Sequence, residues 1–150
     1  KPTAAHIKRE MIDFYNIPFS QINRIKNGED YITEEGKVIP NSRLTTPADT
    51  PRKYVYCSDT QFNPNNVQYI RDADMLFHEA TFAEEHLARA KQTHHSTARQ
   101  AAEMARISGA KRLLIGHYSA RYTDEKILLN EAREVFANTF LAEEGRCLSL

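Results

Sequence analysis

The chain is 150 residues long, which fits one domain or half of a larger one. Its 41% hydrophobic and 27% charged residues exclude a disordered or fibrous chain. Twenty basic residues balance twenty acidic ones, so the excess of Lys and Arg expected of a broad nucleic-acid-binding face is absent.

The spacing of Ile7, Met11, Ile12, Phe14 and Tyr15 predicts a helix over 3–15 that ends before Ile17-Pro18. A short helix is expected over 20–26, stopped by Asn27-Gly28. Tyr31-Ile32-Thr33 and Lys37-Val38-Ile39 read as a β-hairpin around Gly36, and 40–52, with three prolines, as a loop. From Tyr54 the pattern becomes alternating strand and helix. Strands are expected at 54–57, 75–77 and 112–115. Helices are expected from Asn63-Pro64 to Arg71, over 82–91, from a Ser96-Thr97 cap to Ile107 with a stop at Gly109, and over 124–138. A short hairpin around Gly145 closes the chain. The division is therefore a lead-in over 1–53 and an alternating part over 54–150 that carries the chemistry. No apolar stretch approaches the roughly 20 residues that span a bilayer, and no signal-peptide pattern follows Lys1. Cys57 and Cys147 sit in no CxxC pair, the usage of reduced thiols in a cytoplasmic protein.

The polar residues fall at informative places. Asp59, His78-Glu79 and His117 each lie just past the end of an apolar strand, and strand C-termini line up along one edge where α/β folds bind ligands. Asp59 offers a hard oxygen that could bridge two cations, or it caps the following loop. His117, preceded by Gly116, offers a neutral imidazole to zinc, or is a hydrogen-bonded loop residue. Arg121 suits a phosphate or a surface ion pair. His95 precedes a helix N-terminus, where an anion is favoured and where an imidazole could protonate a leaving oxygen. Ser96 and Thr97 are read as helix caps. His78 and Glu79 suit the support of another imidazole, and His6 and His86 are taken as surface residues.

Together these segments carry a resemblance. Ser58-Asp59-Thr60, the run from Ala73 to Phe82 containing His78-Glu79-Ala80-Thr81-Phe82, then His95-Ser96-Thr97 and His117-Tyr118-Ser119-Ala120-Arg121-Tyr122 closely resemble the GDT, HEATF, HST and HxSxRY segments of the ribonuclease Z family, in the same order. The resemblance implies the C-terminal half of a four-layer αββα metallo-β-lactamase sandwich, an α/β (α+β) fold with a mixed sheet and flanking helices. It implies a zinc-dependent endoribonuclease that removes the 3′ trailer of precursor tRNA by hydroxide attack on a phosphodiester, leaving a 3′-hydroxyl. By the same resemblance Asp59 and His117 are zinc ligands, His95 and Glu79 catalytic, Arg121 and Ser119 substrate contacts, and His78 a supporting residue.

Two departures qualify that expectation. Ser58 stands where the family has Gly, which requires a negative φ there. The HxHxDH segment that supplies most zinc ligands is not in the sequence, nor is the arm that grips tRNA, and Ile17-Pro18-Phe19-Ser20 replaces a Gly/Pro-rich stretch. The chain alone is therefore expected to bind zinc weakly or not at all, to be inactive, and to self-associate as a homodimer through the sheet face left by the missing half. The rivals are another hydrolase or phosphodiesterase of the same fold and a metal-free interaction module.

Overall fold

The computed structural model describes residues 3–150. It divides into two compact units, Lys1–Pro51 and Arg52–Leu150. The first contains β1 (His6–Ile7), α1 (Arg9–Phe14), α2 (Phe19–Lys26), β2 (Tyr31–Ile32), β3 (Val38–Ile39), α3 (Asn41–Leu44) and β4 (Thr45–Thr46). Ile17, Ile25, Tyr31, Ile39 and Leu44 form its core. The β2–β3 hairpin forms as expected, antiparallel with Tyr31 opposite Ile39.

Two expectations fail in this unit. The first helix begins at Arg9, because His6-Ile7 pair antiparallel with Thr46-Thr45. The stretch expected as loop contains α3 and β4, the latter being the partner in that pairing. Elements of two to four residues are too short to show a period, and the pairing spans 40 residues of sequence. The Asn41 side-chain amide fixes α3 by donating to the carbonyls of Ile25 and Glu29, at 2.6 and 2.8 Å.

The second unit is a four-stranded sheet in the order β5 (Tyr54–Cys57), β6 (Met75–Glu79), β7 (Leu113–Gly116), β8 (Thr139–Leu141). All three pairings are parallel. Parallel and antiparallel pairing thus both occur in the chain, but in separate sheets, and the sheet expected as mixed is uniform. The helices α4 (Val67–Ile70), α5 (Leu87–Gln92), α6 (Ala98–Ser108) and α7 (Lys126–Val135) lie in the crossovers that parallel neighbours require. The expected hairpin around Gly145 is absent: 139–141 instead adds the parallel edge strand β8, with Leu114 opposite Phe140.

Register decides which face is core. Leu76, Leu113 and Ile115 share one face and pack with Ala98, Ala101, Met104 and Ala105 of α6 and with Leu128 and Ala132 of α7. Along α6 the buried positions recur at helical spacing, and small alanines let the helix lie close to the sheet. A capping box between Thr97 and Gln100 starts this helix, and Gly109 ends it at φ 68°. The opposite face carries Tyr54, Tyr56, Met75, Phe77, Leu114 and Phe140, none of which joins that cluster. There Tyr56 remains 63% exposed while its ring stacks on Phe77 at 4.5 Å.

The segment expected as one helix over 82–91 starts later. Phe82 bridges Thr97, a 3-10 turn covers Glu84–His86, and α5 follows. His86 is correspondingly half-buried, with its ring edge on Tyr122, rather than a surface residue. Among the described residues no helix is long and apolar enough to cross a membrane.

Leu76 on the central strand is fully buried. Leu76→Ala is expected to destabilise this unit by about 2–5 kcal/mol, read from urea unfolding followed by circular dichroism.

Candidate metal centre

The three parallel strands β5, β6 and β7 end at one edge, and each delivers its following polar residue there. Asp59 follows β5 at φ 47° and His117 follows β7 at φ 60°, both in the left-handed region where a non-glycine residue is uncommon. This backbone costs of order 1–3 kcal/mol per residue and recurs where a site over-determines it. Ser58 keeps φ out of that region, so a side chain is accommodated there. Gly116 is required for another reason. A Cβ there would stand 2.7 Å from the Phe77 ring.

Side chains from three distant segments meet as a result. Donor atoms of Asp59, His95 and His117 all lie within 4.8 Å of one another. Asp59 Oδ1 and His117 Nε2 are 3.2 Å apart, with both side chains partly open to solvent. A tetrahedral zinc with bonds of about 2.0–2.1 Å holds its ligand atoms about 3.3–3.4 Å apart, so this pair already spans one edge of such a site. The donor set of imidazole nitrogen and carboxylate oxygen suits zinc equally.

Beneath the cluster lies Glu79, fully buried at the end of β6. Its carboxylate accepts from the Thr60 amide at 2.6 Å, the Thr81 hydroxyl at 2.6 Å, the Ser96 amide at 3.0 Å and His95 Nδ1 at 2.9 Å. Burial alone would raise its pKa; the donors, Thr81 first and then His95 and the two amides, outweigh burial and hold it below the ordinary carboxylate value. The anion is thereby kept charged without a Lys or Arg. Thr81 also lies 3.0 Å from His117 Nδ1, and the Ser96 hydroxyl donates to the Thr60 carbonyl at 2.7 Å, tying the Asp59 loop to the His95 segment.

The expected site residues separate accordingly. Asp59, His95, His117 and Glu79 come together. Arg121 lies 4.9 Å above the Phe82 ring, with its Nε 3.2 Å from the Ser119 hydroxyl, and His95 packs its edge on the same Phe82. His78 turns away: its Nδ1 contacts the Glu79 carbonyl at 2.8 Å, and its pKa is lowered by burial, so it is a neutral residue under the sheet rather than a partner of the three. Ser96, expected as a cap, leaves that task to Thr97. Thr60 and Thr81 were not singled out. The available signal for Thr81 was its position two residues beyond Glu79, where extended chain returns to the same side.

A cleft of about 780 Å³ opens beside His117, lined by Tyr56, Phe77, Tyr118, Glu125, Glu143 and Glu144. Tyr118 closes its floor, donating to the Ile115 carbonyl and accepting from the Ala142 amide; burial pushes its phenol up to about 12.

No protein-family model matches the chain. It is 61% identical over 145 residues to ribonuclease Z of Bacteroides fragilis (strain YCH46), covering 97% of this chain and 48% of that protein. It is 55% identical over 150 residues to ribonuclease Z of Phocaeicola vulgatus, covering 100% of this chain and again 48% of the relative. The chain thus spans about half the length of the curated relatives it matches. Among solved structures it is similar to the metallo-beta-lactamase fold protein YhfI from Bacillus subtilis, with a TM-score of 0.57 and 24% identity over 61% of this chain and 38% of that one. That likeness shows the fold.

Because the folded-state pKa of Glu79 is lowered from 4.5, the stability it contributes is complete above about pH 4.5 and is lost as pH falls through the lowered value. Glu79→Gln places an amide donor where four donors converge and is expected to cost about 1–3 kcal/mol at neutral pH. It should also flatten the acid limb. Urea midpoints measured between neutral and acid pH check both.

Proposed function

This chain carries about half of a ribonuclease Z sequence along its full length, and we propose that it contributes the C-terminal half of a zinc-dependent endoribonuclease that cuts the 3′ trailer from precursor tRNA. The observation that carries the reading is the approach of Asp59 Oδ1 to His117 Nε2, with His95 beside them on a buried carboxylate. Two acceptor atoms held this close repel each other unless a proton or a cation lies between them.

In this reading Asp59 and His117 are the residues of this chain that would hold zinc. Zinc, when bound, acidifies a water toward neutral pH and neutralises charge on the phosphate oxygens. The remaining roles belong to this chain's own residues. Glu79 holds His95 by Nδ1, so Nε2 is left to give a proton to the departing 3′-oxygen, which ends as a hydroxyl. Arg121, steadied by Ser119 and Phe82, offers its guanidinium to a phosphate beside that position. With the formal net charge at zero, most of the grip on tRNA falls to parts of the longer protein. Neither rival has comparable support. The full-length identity is to ribonuclease Z, and a metal-free module has no need of converging donors.

Three donors cannot complete two ions, each of which takes about three protein ligands and a water. Zinc is therefore expected to leave this chain on dialysis against a mild chelator, and precursor tRNA to be cleaved only when the chain is joined to the other half of the protein. Cleavage by the chain alone, or stoichiometric zinc after dialysis, contradicts the reading of these three donors as an incomplete site.

We place the protein in the cytoplasm with its substrate and infer that, alone, it forms a homodimer. The face bearing Tyr54 and Tyr56, 46% and 63% exposed, supports this as the contact. Sedimentation should give a dimer that Tyr56→Glu dissociates; a monomer at every concentration contradicts it.

A further inference from the structure

We propose that His94 is a positioning residue of the site, a latch that holds the loop after Asp59 against the turn that carries His95. Its bearing on catalysis rests on the zinc reading; the latch itself does not. Helices α5 and α6 end in the same way. After α6, Gly109 turns left-handed at φ 68°, its amide donates to the Arg106 carbonyl at 3.3 Å, and the Ala110 amide donates to the Ala105 carbonyl at 3.1 Å. After α5, His94 turns left-handed at φ 60°, its amide donates to the Lys91 carbonyl at 3.3 Å, and the His95 amide donates to the Ala90 carbonyl at 2.9 Å. This paired closure satisfies the last carbonyls of a helix. Its left-handed position suits glycine, because a Cβ there crowds the following carbonyl. The longer helix has a glycine; α5 has a histidine, strained by the same turn.

The His94 side chain is exposed and joins neither core. Its Nδ1 lies 3.3 Å from the Gln61 side-chain oxygen. A carboxamide offers both donors and an acceptor, so this bond forms with either ring tautomer and needs no charge. An exposed bond between neutral groups adds little to stability, so it does not account for a residue that strains the turn. Its place in the site does. Gln61 is two residues beyond Asp59, and His94 immediately precedes His95, so the bond links the two segments that bring those donor atoms together. The other ties between them act on Thr60 from within, its amide donating to Glu79 and its carbonyl accepting from the Ser96 hydroxyl. Each of the two residues after Asp59 is thus tied to the His95 segment, Thr60 from inside and Gln61 at the surface.

His94→Gly separates fold from position. In this chain, free of metal, it is expected to raise the urea midpoint, because the strain is relieved, and to lower the NMR backbone order parameters of residues 60–62. A side chain that only supported the fold would lower both. Gln61→Ala should loosen the same residues without raising the midpoint, and the double variant should be no looser than either single one. In the protein joined from both halves, His94→Gly is expected to lower kcat for precursor tRNA several-fold with KM little changed. A lower midpoint for His94→Gly, unchanged order parameters, or an unchanged kcat in a joined protein that cleaves overturns the proposal. A joined wild type that does not cleave defeats the zinc reading instead, and the order parameters of this chain still decide the latch.

Discussion

One buried carboxylate organises the active edge of this molecule. Glu79 lies at the end of the central part of the sheet with no exposed surface, yet it is kept ionised by donors from three segments: the Thr60 amide after β5, Thr81 after β6, and His95 and Ser96 before α6. Each donor is individually modest. An unpaired charge in that position would cost far more than any one bond returns, so all must be present together. The loop carrying Asp59, the turn carrying His95 and the strand end carrying His117 are therefore fixed in one arrangement rather than three independent ones. The left-handed backbone at Asp59 and His117 is tolerated for the same reason.

The sequence revealed much of this edge because the chemistry sits at strand ends. Apolar runs of three or four residues that stop just before Asp59, His78-Glu79 and His117 identify β5, β6 and β7, and parallel strands bring their C-termini together whatever the loop lengths between them. The helices with strong caps, α6 above all, were also legible. What was not legible depended on partners far away in sequence. β1 needs β4, and β8 needs β7; neither pairing leaves a local period. Within the site, the alternation along β6 separates His78 from Glu79: one points under the helices and the other toward the site. Adjacent letters in a motif thus serve different sides of the sheet. Thr81 and Ser96 were obscured for another reason. A hydroxyl has no preference that marks it as a link between two functional groups rather than a cap.

The two faces of the main sheet differ in a way that bears on the half-length match to relatives. The face toward α6 and α7 is closed by alanine and leucine packing. The other presents Tyr54 and Tyr56, and the cleft beyond them is rimmed by Glu125, Glu143 and Glu144. An acidic rim repels anions, whereas Arg121, over the Phe82 ring that also meets His95, presents a cation.

Asp59, His95 and His117, if they form a cation site prearranged by Glu79, will hold zinc in the crystal. The measurement is anomalous diffraction at the zinc edge, from crystals of this chain soaked in millimolar zinc. A peak is expected between Asp59 Oδ1 and His117 Nε2, with Glu79 still bonded to His95. A map whose zinc peaks all lie elsewhere, leaving that pair empty, would contradict it.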